Sequence, residues 1–142
     1  MSTDQLRWLL KVMQPERSLA SLPGGAGISP DIHAALLGLP PEVYVAELNL
    51  MKQEAKEAAD ELLADPSCAS LVDRLPLPKG AKVVAFGDSL TSDPQSWAVI
   101  LHELLMAKRG ADEVSFSIIA GAGERPRMGW SGWAKSSASN PI

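Results

Sequence analysis

Residues Lys82–Leu105 read KVVAFGDSLTSDPQSWAVILHELL, and this stretch decides the fold. "KVVAF" is a short, β-branched, apolar run of the kind that forms a buried parallel strand. Trp97, Ile100, Leu101, Leu104 and Leu105 then recur at i, i+3, i+4, i+7 and i+8, one face of a helix. Asp93-Pro94 predicts the N-cap and first-turn proline of that helix. Lys108 and Arg109 suit its negative end, and Gly110 suits its C′ position. A second β-type run, "EVSFSIIA", follows at 113–120. Strand, helix, strand with short connections predicts a βαβ unit with parallel strands and a right-handed crossover.

Outward toward the N-terminus the pattern is helical. Leu6, Leu9, Leu10 and Met13 share one face of a helix over residues 3–14. Pro15 and then "SLPGGAGISP" break it, and the second stretch reads as a loop. Its "GGAG" is not followed by Gly-Lys-Ser/Thr, so no phosphate loop is expected. Ser29-Pro30 opens a short helix that ends at Gly38, with His33 read as a packing or surface residue. Pro40-Pro41 opens the longest helix, over 42–64. Its apolar stripe is Tyr44, Leu48, Met51, Ala55, Ala58 and Leu62.

Residues 42–65 hold seven Asp/Glu against two Lys, which predicts a solvated acidic face. A docking surface for a basic partner, or for a second copy, is the alternative. Asp65-Pro66 caps a further helix reaching Leu75, with Cys68 in its first turn. The prolyl run "LPLPKGA" places a boundary near residue 78. The expected organisation is therefore a helical extension over 1–78, a βαβ unit over 79–120 and an irregular tail over 121–142. Trp130 and Trp133 in the tail are weak markers of a binding surface.

The net charge of −4 argues against nucleic-acid binding, which calls for a basic face. A single cysteine, Cys68, excludes an intrachain disulfide and a cysteine-only metal site. No metal or organic cofactor is implied. The N-terminus lacks the basic start and apolar core of a signal peptide. No apolar run approaches the roughly 18 residues of a membrane span. The expected location is cytoplasmic.

Ser89 falls just beyond the carboxyl end of the first strand, where α/β sheets bind ligands. Gly87 permits a tight turn there. Gly-Asp-Ser is also a common turn in which Asp and Ser cap backbone groups.

In this context "VVAFGDSLT" resembles the first block of the GDSL, or SGNH, hydrolases, a family of esterases and lipases. The resemblance covers residues 82–120, roughly a quarter of the chain. It implies an α/β fold, the start of a flavodoxin-like three-layer α/β/α domain. It implies that Ser89 is the acyl-accepting nucleophile and that its N–H is one oxyanion donor, with Gly87 and Asp88 supporting the turn. The substrate class would be a small-molecule carboxylic ester.

The family draws its other groups from later blocks: a glycine after the second strand, a Gly-x-Asn-Asp asparagine and a late Asp-x-x-His. Gly121 and Gly123 are the candidates for the glycine. The asparagines are Asn49 and Asn140, neither in such a block. The histidines are His33 and His102, preceded at the third position by Pro30 and Val99. His102 lies thirteen residues past Ser89, of order 15–20 Å along a helix, too far to act as its base. His33 would need the N-terminal helices to fold over the crevice. The expectation is an incomplete hydrolase domain, truncated or altered in frame near Gly121, with negligible activity alone. A helical interaction module built on residues 42–64 is the alternative.

Overall fold

The computed structural model describes residues 1–20 and 22–120. The irregular tail expected over 121–142, with Gly121, Gly123, Trp130, Trp133 and Asn140, lies outside the described residues.

Helix α1 spans Thr3–Met13 and begins with a capping box. Ser2 Oγ accepts from the Gln5 N–H, and Gln5 Oε1 accepts from the Ser2 N–H. Gln14 then turns left-handed (φ 37°) and ends the helix. Pro15 breaks that helix as expected, but it also opens a second one that the pattern did not mark, α2, over Pro15–Ala20. A proline at the first helical position lacks only an N–H that would have no partner there, so it can open a helix as easily as end one. Helix α3, Pro30–Leu36, stops where Gly38 predicts. Gly38 takes φ +67°, Leu39 N–H bonds Ala34 O and Gly38 N–H bonds Ala35 O, a Schellman closure.

Helix α4, Pro41–Ala64, buries Tyr44, Glu47, Met51, Ala55 and Ala59. This corrects the expected stripe at its C-terminal end, where Ala59 is buried and Leu62 is exposed. Successive steps of four drift around a 3.6-residue helix, so the buried row slants along the i±4n ridge to meet different neighbours at each end. Glu47 enters the row because Arg7 pairs with it. Helix α5, Pro66–Asp73, is capped by Asp65 as predicted, with Asp65 Oδ1 accepting from Ser67 N–H at 2.8 Å.

Strands β1 (Lys82–Gly87) and β2 (Ser115–Ala120) pair in parallel, from Lys82 opposite Ser115 to Gly87 opposite Ala120. The expectation of a fully buried strand holds on one face only. Ala85 is buried, and Phe116 packs into the core. On the opposite face Val84 is 51% and Phe86 56% exposed, because no described element covers it. The short helix α6, Ser89–Ser92, packs against both strands.

Helix α7 spans Trp97–Arg109. Its N-cap is Ser96, not Asp93: Ser96 Oγ accepts from Val99 N–H, and the Asp93 carboxylate accepts from Gln95 N–H at 2.7 Å. Pro94 therefore lies before the helix rather than in its first turn. Gly110 is also not a left-handed C′ residue. Its φ is −56°, and a 3-10 turn over Gly110–Asp112 follows before Glu113 reverses the chain at φ 53°.

Two clusters form the core, and α4 passes through both. Leu10, Ala34, Leu39, Tyr44 and Met51 make the first. Ala59, Val72, Leu104 and Leu105 make the second, with Leu75, Leu77 and Phe116 packed against it. The second cluster thus joins residues from both sides of position 78. Arg109 fastens the prolyl run by donating to Leu75 O at 2.8 Å and Leu77 O at 2.6 Å. Among the described residues the architecture is α/β, mostly helical with one two-stranded parallel sheet. Among the described residues no helix is long and apolar enough to cross a membrane.

Candidate active site at the end of strand β1

The turn after β1 is built by four neighbours in different roles. Gly87 ends the strand in close contact with Thr91, and a Cβ on Gly87 would overlap Thr91 Oγ1. Glycine is required here by the close approach. Asp88 stays extended and caps α6. Its Oδ1 accepts from Leu90 N–H at 3.0 Å, and its C=O accepts from Thr91 and Ser92 N–H. Asp88 is therefore engaged as a cap, the role that the sequence also allowed. Thr91 is 4% exposed and its Oγ1 accepts from Trp97 Nε1 at 3.2 Å.

Ser89 opens α6 and is exposed. Its C=O accepts from Ser92 Oγ and from Asp93 N–H, both at 3.1 Å. Among the described residues nothing bonds its Oγ. Strand end, glycine contact and capped turn together present a serine hydroxyl to solvent.

The histidines are placed elsewhere. His33 is 7% exposed and lies edge-on to Tyr44, with ring centroids 6.3 Å apart. Its Nε2 has no partner among the described residues. His102 lies 5.4 Å from the Phe116 ring, centroid to centroid, and its Nδ1 is 3.8 Å from Glu103 Oε1. Neither histidine bonds Ser89. Cys68 is half-buried and free. Among the described residues no group of three His, Cys, Asp or Glu side chains gathers to hold a metal. The candidate glycine donors Gly121 and Gly123 lie outside the described residues.

An open cleft of about 360 Å³ lies beside the turn. Gln14, Glu16 and Arg17 line one wall; Ser92, His102 and Phe116 line the other. Ser92 reaches this cleft but Ser89 does not. Burial, together with donation to Glu16 at 2.8 Å, holds the Tyr44 hydroxyl well above its ordinary range. Its hydrogen bond to Glu47 likewise raises Arg7.

Arg17 is the residue near the turn that pattern reading missed. Its guanidinium donates to Ser92 O at 2.8 Å, Ala120 O at 3.1 Å and Ile118 O at 3.4 Å. It also donates to Gln14 Oε1 at 3.4 Å, but no local signal marks its reach to backbone carbonyls 75 to 103 residues away. No family model matches this chain, and no curated protein or solved structure matches it.

Proposed function

We propose that residues 82–120 are the nucleophile-bearing part of a GDSL-type serine ester hydrolase, with β1 and β2 as strands of a flavodoxin-like sheet. The observation that carries this reading is the placement of Ser89. It is exposed at the first position of α6, directly after β1, on a turn that Gly87 and Asp88 define. In the reaction Ser89 Oγ attacks the carbonyl carbon of a small-molecule ester. The hydroxyl proton passes to a base and the alcohol departs protonated. Water then cleaves the acyl-serine. The Ser89 N–H is one donor to the developing oxyanion. The lone cysteine agrees with a reducing, cytoplasmic setting.

A serine hydroxyl without a base is a weak nucleophile. Neither described histidine bonds Ser89, so the chain alone has negligible esterase activity. Purified chain is expected to hydrolyse p-nitrophenyl acetate at the background rate, and a Ser89-dependent burst would overturn that statement. Imidazole supplied in solution stands in for the base. A fluorophosphonate is then expected to modify Ser89 ahead of the other serines, as read by peptide mass spectrometry. Uniform modification of serines would sink the nucleophile assignment.

The second reading is a helical interaction module. What favours it is the outer surface of α4, which leaves Val43, Val45, Leu50 and Leu62 exposed among its acidic residues. Self-association through this helix is tested by light scattering behind size exclusion. A stable oligomer dispersed by Leu50→Glu supports it, and a monomer at all concentrations excludes it.

A further inference from the structure

The segment that follows Ser89, residues 92–95, is held from three sides by elements distant in sequence. From α2, Arg17 donates to Ser92 O and, with the same guanidinium, to Ile118 O and Ala120 O at the end of β2. From α1, Lys11 Nζ lies 3.2 Å from Asp93 Oδ1. From α4, Glu54 Oε2 accepts from Gln95 Nε2. Arg7 on α1 in turn bonds Glu47 and Glu54, which fixes α1 on α4 and orients the carboxylate that Gln95 uses.

We infer that the N-terminal helices are the support of the Ser89 turn, and that Arg17 is its positioning residue. The path is short. Arg17 holds Ser92, Ser92 Oγ and Asp93 N–H both bond Ser89 O, and that carbonyl belongs to the exposed serine. A four-residue helix has too few internal bonds to hold itself against fraying. Its last residue is instead clamped to β2 by a planar fork with several donors. Lysine, with one compact ammonium, cannot span carbonyls on α6 and β2 together. The carbonyls of Ile118 and Ala120, two residues apart, face the same side of β2. Arg17 therefore also covers polar groups at the carboxyl end of a two-stranded sheet. The value of this clamp to catalysis rests on Ser89 being the nucleophile.

The test uses the full chain with Arg17→Ala and Arg17→Lys, and two readouts. Hydrogen exchange of residues 88–96 is expected to speed up by about tenfold or more in both variants, since a hydrogen bond to a charged group is lost. Exchange over residues 47–59 of α4 is expected to stay unchanged, which separates loss of the clamp from general unfolding. Arg17→Lys keeps the charge and the aliphatic stem, so it serves where Arg17→Ala does not fold. Unchanged exchange over 88–96 in a folded variant overturns the inference. The second readout is fluorophosphonate labelling of Ser89 in the presence of imidazole, expected to slow in parallel with the loosened turn. Labelling that is intact despite faster exchange overturns the positioning role. Faster exchange with no labelling of Ser89 even in the unaltered chain refutes the hydrolase reading while the mechanical clamp stands.

Discussion

Gly87 and Thr91 meet so closely across the turn that the space for a Cβ on Gly87 is taken by the Thr91 hydroxyl. The contact fixes where α6 starts relative to β1, and so where Ser89 sits.

Gly87→Ala is therefore expected to destabilise the chain by about 1–3 kcal/mol, the usual cost of an overpacked site. Denaturant midpoints check it. Adding Thr91→Ala removes the obstructing hydroxyl and is expected to recover part of the loss, so the two substitutions are not additive. A freely tolerated Gly87→Ala would contradict the contact.

Met51 and Leu62 report the true face of α4. Met51 is fully buried and Leu62 is 45% exposed. Met51→Ala is expected to cost about 2–5 kcal/mol through the cavity it leaves. Leu62→Ala is expected to fall within about 0.5 kcal/mol of the unaltered chain, as surface substitutions do. Thermal or urea unfolding of the pair distinguishes this register from a stripe that continues through Leu62.

Tyr44 makes stability fall in alkali. Its folded hydroxyl is held above the ordinary value of 10.0 by burial and then by Glu16. The folded state thus keeps a proton that the unfolded chain releases. The stabilising contribution is complete below that ordinary value and is lost as pH rises above it, by about 1.4 kcal/mol per pH unit until the folded group also ionises. Tyr44→Phe is expected to flatten this dependence. At neutral pH it removes the 2.8 Å bond to Glu16 and costs about 1–3 kcal/mol. Unfolding titrations from pH 8 upward read both effects.

His102 packs on Phe116 rather than serving Ser89. His102→Ala is expected to leave fluorophosphonate labelling of Ser89 unchanged and to lower stability by about 1 kcal/mol. Selective loss of labelling with stability intact would make His102 part of the site.

Much of the fold was legible as local pattern. The β1 run, the helix through Trp97 and Leu105, the Gly38 stop and the Asp65 cap each depend on residues within a few positions of one another. The misreadings share a cause. Pro15 breaks the first helix as expected but equally suits the start of the next, which went unmarked, and Asp93 and Ser96 are both good caps three residues apart. Local preference cannot choose between them; the packing of α2 and α7 does. Glu47 is one of the acidic residues expected on the solvated face of α4, and it is buried instead. Arg7, forty residues earlier, makes its burial tolerable.

The sequence by itself marked the turn: Gly87 permitting it, Asp88 able to cap backbone groups, and Ser89 just past the end of an apolar strand. Only the tertiary structure decided what surrounds it. His33 packs edge-on against Tyr44, and Arg17, Lys11 and Glu54 converge on residues 92–95. The physical reason is range. Backbone conformation follows from neighbours within a turn or two. Which groups meet across 41 to 103 residues follows from how the helices pack as a whole, and no short window of sequence contains that information.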